Sequence, residues 1–130
     1  MKTTVALALL LALGLGRTAS AQSVTVTSSS PPEAKLASVD ANTRTLPAAT
    51  IARYARLLDR LEPRCEQSRE RIADMTVVSR DNLKTHYDKR LTLLEFLDSA
   101  ATMMDESKLK EQDCAQTFSL LVVTMGGTRR

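Results

Sequence analysis

The sequence predicts an all-α protein: a small up-down-up three-helix bundle, its first helix kinked at Pro63, stapled by one disulfide. Three observations carry that expectation. Apolar residues recur at steps of three and four from Ile51 to Met75, which is helical spacing. The first 21 residues have the parts of a secretory leader. The chain holds only two cysteines, Cys65 and Cys114, so a single intramolecular pairing exists.

Residues 1–21 read as a signal peptide. Lys2 supplies the positive start, Val5 to Leu15 form an uncharged run, and Ala19-Ser20-Ala21 provides the small-x-small pattern at which leaders are cleaved. The run falls short of the ~20 apolar residues a membrane span needs, and Gly14, Gly16 and Arg17 close it. No cysteine follows the cleavage point to carry a lipid, and no twin-arginine pair precedes it. The expected destination is therefore outside the cytoplasm: the periplasm of a two-membrane bacterium, otherwise the medium. No stable membrane span remains after cleavage.

Cleavage changes the meaning of the charge. The full chain has 18 basic and 15 acidic residues and a pI near 9.1. Lys2 and Arg17 leave with the leader, so the 18 become 16 against 15, and Arg129 and Arg130 lie in the short basic tail 128–130. The near-neutral remainder lacks the basic excess that a nucleic-acid partner requires.

Residues 22–46 are rich in Ser, Thr, Ala and Pro around Ser28-Ser29-Ser30-Pro31-Pro32, and they read as a disordered linker. The helical domain spans 47–127. Pro47 opens the first helix, because its fixed φ suits the first turn. Ile51, Tyr54, Leu58, Leu61, Cys65, Ser68, Ile72 and Met75 then share one stripe, with Pro63 opposite it. Since the apolar phase survives Pro63, one kinked helix is expected from about Pro47 to Val78. Ser79-Arg80-Asp81-Asn82 looks like the start of the second helix. That helix becomes apolar almost all round between Leu91 and Met104, as a central helix does. After a turn at Asp105-Glu106-Ser107, a third carries Leu109, Cys114, Phe118, Leu121 and Met125 and stops at Gly126-Gly127.

The cysteines fit this frame. At 1.5 Å per residue, Cys65 would lie about 21 Å and Cys114 about 24 Å below the top of the bundle. Both sit on apolar stripes, and a loop of this length would stabilise the fold by ~4 kcal/mol in the chain-entropy model. No C-x-x-C spacing points to redox catalysis.

Chemical motifs are sparse. His86, the only histidine, has neither H-E-x-x-H nor a second histidine near it, and reads as a solvated helix residue. Glu62, Glu66, Glu70 and Asp74 form an acidic row at four-residue spacing beside the basic Arg53, Arg56, Arg60 and Arg64. Surface ion pairing is the simpler use of such rows. A hard-cation site or carboxylate chemistry is the alternative. Neither G-x-S-x-G nor a phosphate-binding glycine loop is present, and two of the four glycines fall in the leader. No cofactor and no catalytic residue is assigned.

The functional expectation is a non-catalytic binding protein: a subunit, adaptor or chaperone-like factor with a protein partner, itself or another. The apolar excess of the second and third helices supplies its surface, at Leu93, Phe96, Met103, Met104, Phe118, Leu121, Val122 and Met125. Adaptable methionines suit such a role.

Overall fold

The computed structural model describes residues 22–107 and 111–127. The expected leader 1–21 and tail 128–130 lie outside the described residues. The elements are β1 (Ser23–Thr25), α1 (Pro32–Ala41), β2 (Thr45–Pro47), α2 (Ala48–Leu61), a 3-10 turn at Glu62–Arg64, α3 (Arg69–Tyr87), α4 (Leu93–Ser107) and α5 (Cys114–Gly127). The protein is thus mostly helical and disulfide-linked, but the described residues form five helices and a small sheet rather than a strict three-helix bundle.

Residues 22–46 are not a linker. β1 pairs antiparallel with β2, with Val24 opposite Leu46, and the Val26 N–H donates to the Arg44 carbonyl at 2.7 Å. The connection between the strands contains α1. Pro32 and Glu33 favour its first turn, and Asn42, in the left-handed region at φ 54°, closes it by donating to the Ser38 and Val39 carbonyls. Composition misleads here because α1 buries small residues. Ala34, Leu36 and Ala37 are buried with Val26 and Leu46, and alanine gives up almost no side-chain entropy in packing.

The expected first helix is broken, not kinked. α2 ends at Leu61, the backbone is extended at Cys65, and α3 restarts after Ser68, whose Oγ accepts the Arg71 N–H at 3.2 Å. Pro63 cannot donate to Asp59, so the helix gives way within that turn. Arg69, the first residue of α3, still bonds the Ala55 carbonyl and the Asp59 carboxylate of α2, so the chain turns sharply between the two helices. The stripe still faces one core: Tyr54, Leu58, Leu61, Cys65 and Ile72 are all buried. Apolar phase records which side faces the core; it does not distinguish a kink from a sharp turn.

The cap-forming cluster Ser79–Asn82 lies inside α3. Its inward positions run Ile72, Thr76, Ser79, Leu83, so two small polar residues occupy core sites. The Thr76 hydroxyl donates to the Ile72 carbonyl at 2.8 Å, which makes burial tolerable. α3 ends instead at Asp88, in the left-handed region at φ 52°. α4 opens with a capping box: Thr92 Oγ1 accepts the Glu95 N–H at 3.0 Å, and Glu95 Oε1 accepts the Thr92 N–H at 2.9 Å. α4 then continues past Met104 through the expected turn residues to Ser107.

α5 is fastened at its start to the segment that leads into α3 and at its end to α3 itself. Cys65 and Cys114 form a disulfide with Cα atoms 5.3 Å apart. Beside it the Glu66 N–H donates to the Gln112 carbonyl and the Gln112 N–H to the Arg64 carbonyl, both at 3.0 Å. Gln67 completes the junction, accepting the Cys114 N–H and donating to Asp113. At the far end Gly126 lies under the Tyr87 ring, where a Cβ would come within 2.4 Å of ring carbons. The two helices therefore run in the same direction. α5 ends at Gly127, as the glycine pair led one to expect, and Gly126 also serves close packing.

Candidate functional site

The eight residues expected to form a partner surface do not lie together on the outside. Leu93, Phe96, Met104, Phe118, Leu121 and Val122 are buried, and Met103 and Met125 pack partly buried against that core. Phe96 and Phe118 meet edge to face, with ring centroids 5.4 Å apart. The apolar excess of α4 is absorbed because α1, which the three-helix frame lacked, packs on it together with α2.

The exposed large apolar side chains are elsewhere: Val39 stands alone on α1, and the others are on α3 and α5. α5 contains no Asp, Glu, Lys, Arg or His in its 14 residues. Its outward positions are Gln116, Ser119, Leu120, Val123, Thr124 and Gly127. Leu120 is 58% and Val123 57% exposed, and Val78 on α3 is 58% exposed. Between the helices runs an open groove of about 480 Å³. Met75, Val78, Phe118 and Val123 contribute its apolar lining, while Arg71, Asp74 and His86 stand along the α3 side. The other helices differ sharply: α2 shows Arg53, Arg56, Asp59 and Arg60 to solvent, and α4 shows Glu95, Asp98, Asp105 and Glu106.

The acidic row is not assembled. Glu62 lies in the 3-10 turn and pairs with Arg69 at 3.2 Å, Glu66 follows the disulfide, and Glu70 and Asp74 are on α3. The spacing that aligned them assumed an unbroken helix. Among the described residues no group of three or more His, Cys, Asp or Glu side chains could hold a metal ion. The arginine row stays together: Arg53, Arg56 and Arg60 lie along α2, and Arg60 and Arg64 both pair with Asp105, at 2.6 and 3.9 Å. The Arg60 hydrogen bond holds the Asp105 carboxyl below its ordinary value.

Two polar centres fix the scaffold around the groove. Arg69, 17% exposed, bonds Glu33 of α1 at 3.2 Å and Asp59 of α2 at 2.8 Å. Burial disfavours its charge, but the hydrogen bonds to Asp59, Glu33 and Glu62 outweigh that and raise its pKa. Asp40, only 8% exposed, accepts the Tyr54 hydroxyl at 2.6 Å and the Leu93 and Leu94 N–H groups at 2.8 and 3.1 Å. The carboxylate thus caps α4 from another helix, where the helix dipole favours a negative charge. Burial, then the bond to Asp40, pushes the Tyr54 phenol well above the ordinary tyrosine value. These groups are saturated by structural partners, and none faces the groove.

No family model, curated protein or solved structure matches this chain. Among the described residues no helix is long and apolar enough to cross a membrane.

The signal for the surface was present in the sequence as an absence. Fourteen residues without a charge, in a chain that is 25% charged, cannot form an ordinary solvated helix face. Counting apolar residues picked the buried ones; the charge gap marks the exposed face.

Proposed function

We propose that this protein is an exported, non-catalytic binding module that engages a protein partner through the α3–α5 face. The carrying observation is the uncharged outer face of α5, where Leu120 and Val123 are more than half exposed and Val123 lines the groove. Exposed apolar side chains are ordinary when scattered singly; a contiguous set bordering a groove and lacking charge resembles the core of an interface. The export reading draws support from the leader-like residues 1–21 and from the disulfide, since such bonds persist in oxidising compartments. A protein that binds through α5 needs that helix fixed, and a disulfide ties its first residue to Cys65, just before α3.

The test is site-specific photo-crosslinking in the producing cell. A photoreactive residue at Leu120 or Val123 is expected to capture protein, while the same residue at Arg56, on the charged outer face of α2, is not. The recovered chain is expected to begin at Gln22. Equal capture at all three positions, or none at any, overturns the binding face.

A further inference from the structure

We infer that the occupant of the α5 face is a second copy of this chain, paired about a two-fold axis that passes through the outer surface of α5. This rests on the reading of α3–α5 as a binding face and names its partner.

The argument begins with symmetry. In a two-fold interface each surface patch meets its own copy, so residues on the axis face themselves. A charged residue there would oppose an identical charge, which is destabilising. The outer faces of α2 and α4 fail that requirement, through Arg53 and Arg56 on one and Glu95 and Asp98 on the other. The outer face of α5 meets it, because Gln116, Ser119, Leu120, Val123, Thr124 and Gly127 carry no charge. A hetero-partner needs no such neutrality, since it can supply the opposite sign.

The α3 margin adds complementarity. Arg71 and Asp74 flank the groove, and neither enters an ion pair within the chain among the described residues. A two-fold axis can bring the Arg71 of each copy towards the Asp74 of the other, so the rim is self-complementary while the centre is neutral and apolar.

Area sets the strength. α5 is about 21 Å long, and with the α3 margin the face is about two helix diameters, or ~20 Å, wide. That is ~400 Å² per copy, below the ~800 Å² per partner of a standard stable interface. The dimer is therefore weak and concentration-dependent.

The experiment is sedimentation of the full chain, expressed with its own leader and purified without reductant, over a rising concentration series. The expected result is a reversible shift from monomer towards dimer, lost over the same series in Leu120→Asp and in Val123→Asp with helical content unchanged. Should those variants lose helicity, Val123→Cys provides the second measure: oxidation is expected to yield a covalent dimer, which the same change at Arg56 does not. A chain that stays monomeric throughout overturns the inference, as does a dimer that survives both aspartate variants. A monomer whose photoreactive Leu120 captures a different protein also overturns self-pairing while leaving the binding face intact. Binding of the monomer to neutral lipid vesicles through the same residues overturns both.

Discussion

α3 is joined to its neighbours on two sides by different physics. Towards α5 the bond is covalent and apolar: one disulfide, a pair of backbone hydrogen bonds beside it, buried Phe118 and Val122, and a glycine under Tyr87. Towards α1 it is polar: Arg69 holds Glu33, and Arg80 approaches Asp40 at 3.8 Å. Neither arrangement substitutes for the other. α1 has ten residues and buries chiefly alanine, so its burial yields little and hydrogen-bonded charges must position it. The charges that help hold α5 lie outside it, Asp113 on the Ala115 N–H at its start and Lys89 on the Met125 carbonyl near its end, so the outer face of the helix itself stays uncharged. The mode of attachment and the character of the surface are two consequences of one design.

The largest effect expected from breaking this contrast is on the α5 side. Replacing Cys65 and Cys114 together by alanine opens a link across 49 residues of sequence. The chain-entropy model then predicts a loss of about 4 kcal/mol, a large part of the ~5–15 kcal/mol that typical domains possess. Urea unfolding measures the loss, and hydrogen exchange locates it. Amides of α5 are expected to lose protection first, and α1 last, if the two attachments are independent. Uniform loss would show that they are coupled.

The α1 side breaks next. Asp40→Ala leaves the buried Tyr54 hydroxyl without its acceptor and removes the acceptor shared by Leu93 and Leu94. An orphaned buried donor costs about 1–3 kcal/mol and a lost helix cap typically ~1, so a destabilisation near ~3 kcal/mol is expected in the same unfolding assay. The change should expose the N-terminal turn of α4 while leaving the Cys65–Cys114 junction protected. A loss under ~1 kcal/mol would mean that water replaces Asp40 at little cost.

These centres show where the sequence was legible. The stripe from Ile51 to Ile72 identified inward residues because burial depends on local period, with Ser68, exposed as the cap of α3, the exception, and its Cys65 does pair with Cys114. Chain direction was not legible: Tyr54 and Ile72 face one core whether the segment between them kinks or turns sharply. α1 was missed although Pro32, Glu33 and Asn42 mark its ends, because its core side is alanine and its stabilising partners, Arg69 and Tyr54, are distant in sequence. The start of α4 was legible in Thr92-Leu93-Leu94-Glu95, a capping pattern that the polar cluster at Ser79 obscured. Phe96, Met104 and Phe118, expected on a partner surface, are buried in the core, because apolar character alone cannot separate core from exposed face.

The smallest expected effect is also the most specific probe of the polar side. Tyr54→Phe keeps the ring and removes only the proton that Asp40 accepts, so the loss at neutral pH should be ~1 kcal/mol. The pH dependence carries more information. The folded-state pKa of Tyr54 is raised, first by burial and then by Asp40. A raised value makes the contribution complete below the unfolded tyrosine value of ~10, and lost progressively as pH rises from there towards the folded one. The wild-type chain must therefore lose stability above about pH 10 through this group, while the phenylalanine variant lacks that limb. The two stability curves, measured by denaturant across the alkaline range, should converge and then cross. A difference that stays constant with pH would mean that the phenol titrates as freely in the folded chain as in the unfolded one. Asp40 would then hold α4 alone, and the polar attachment of α1 would not extend to α2 through Tyr54.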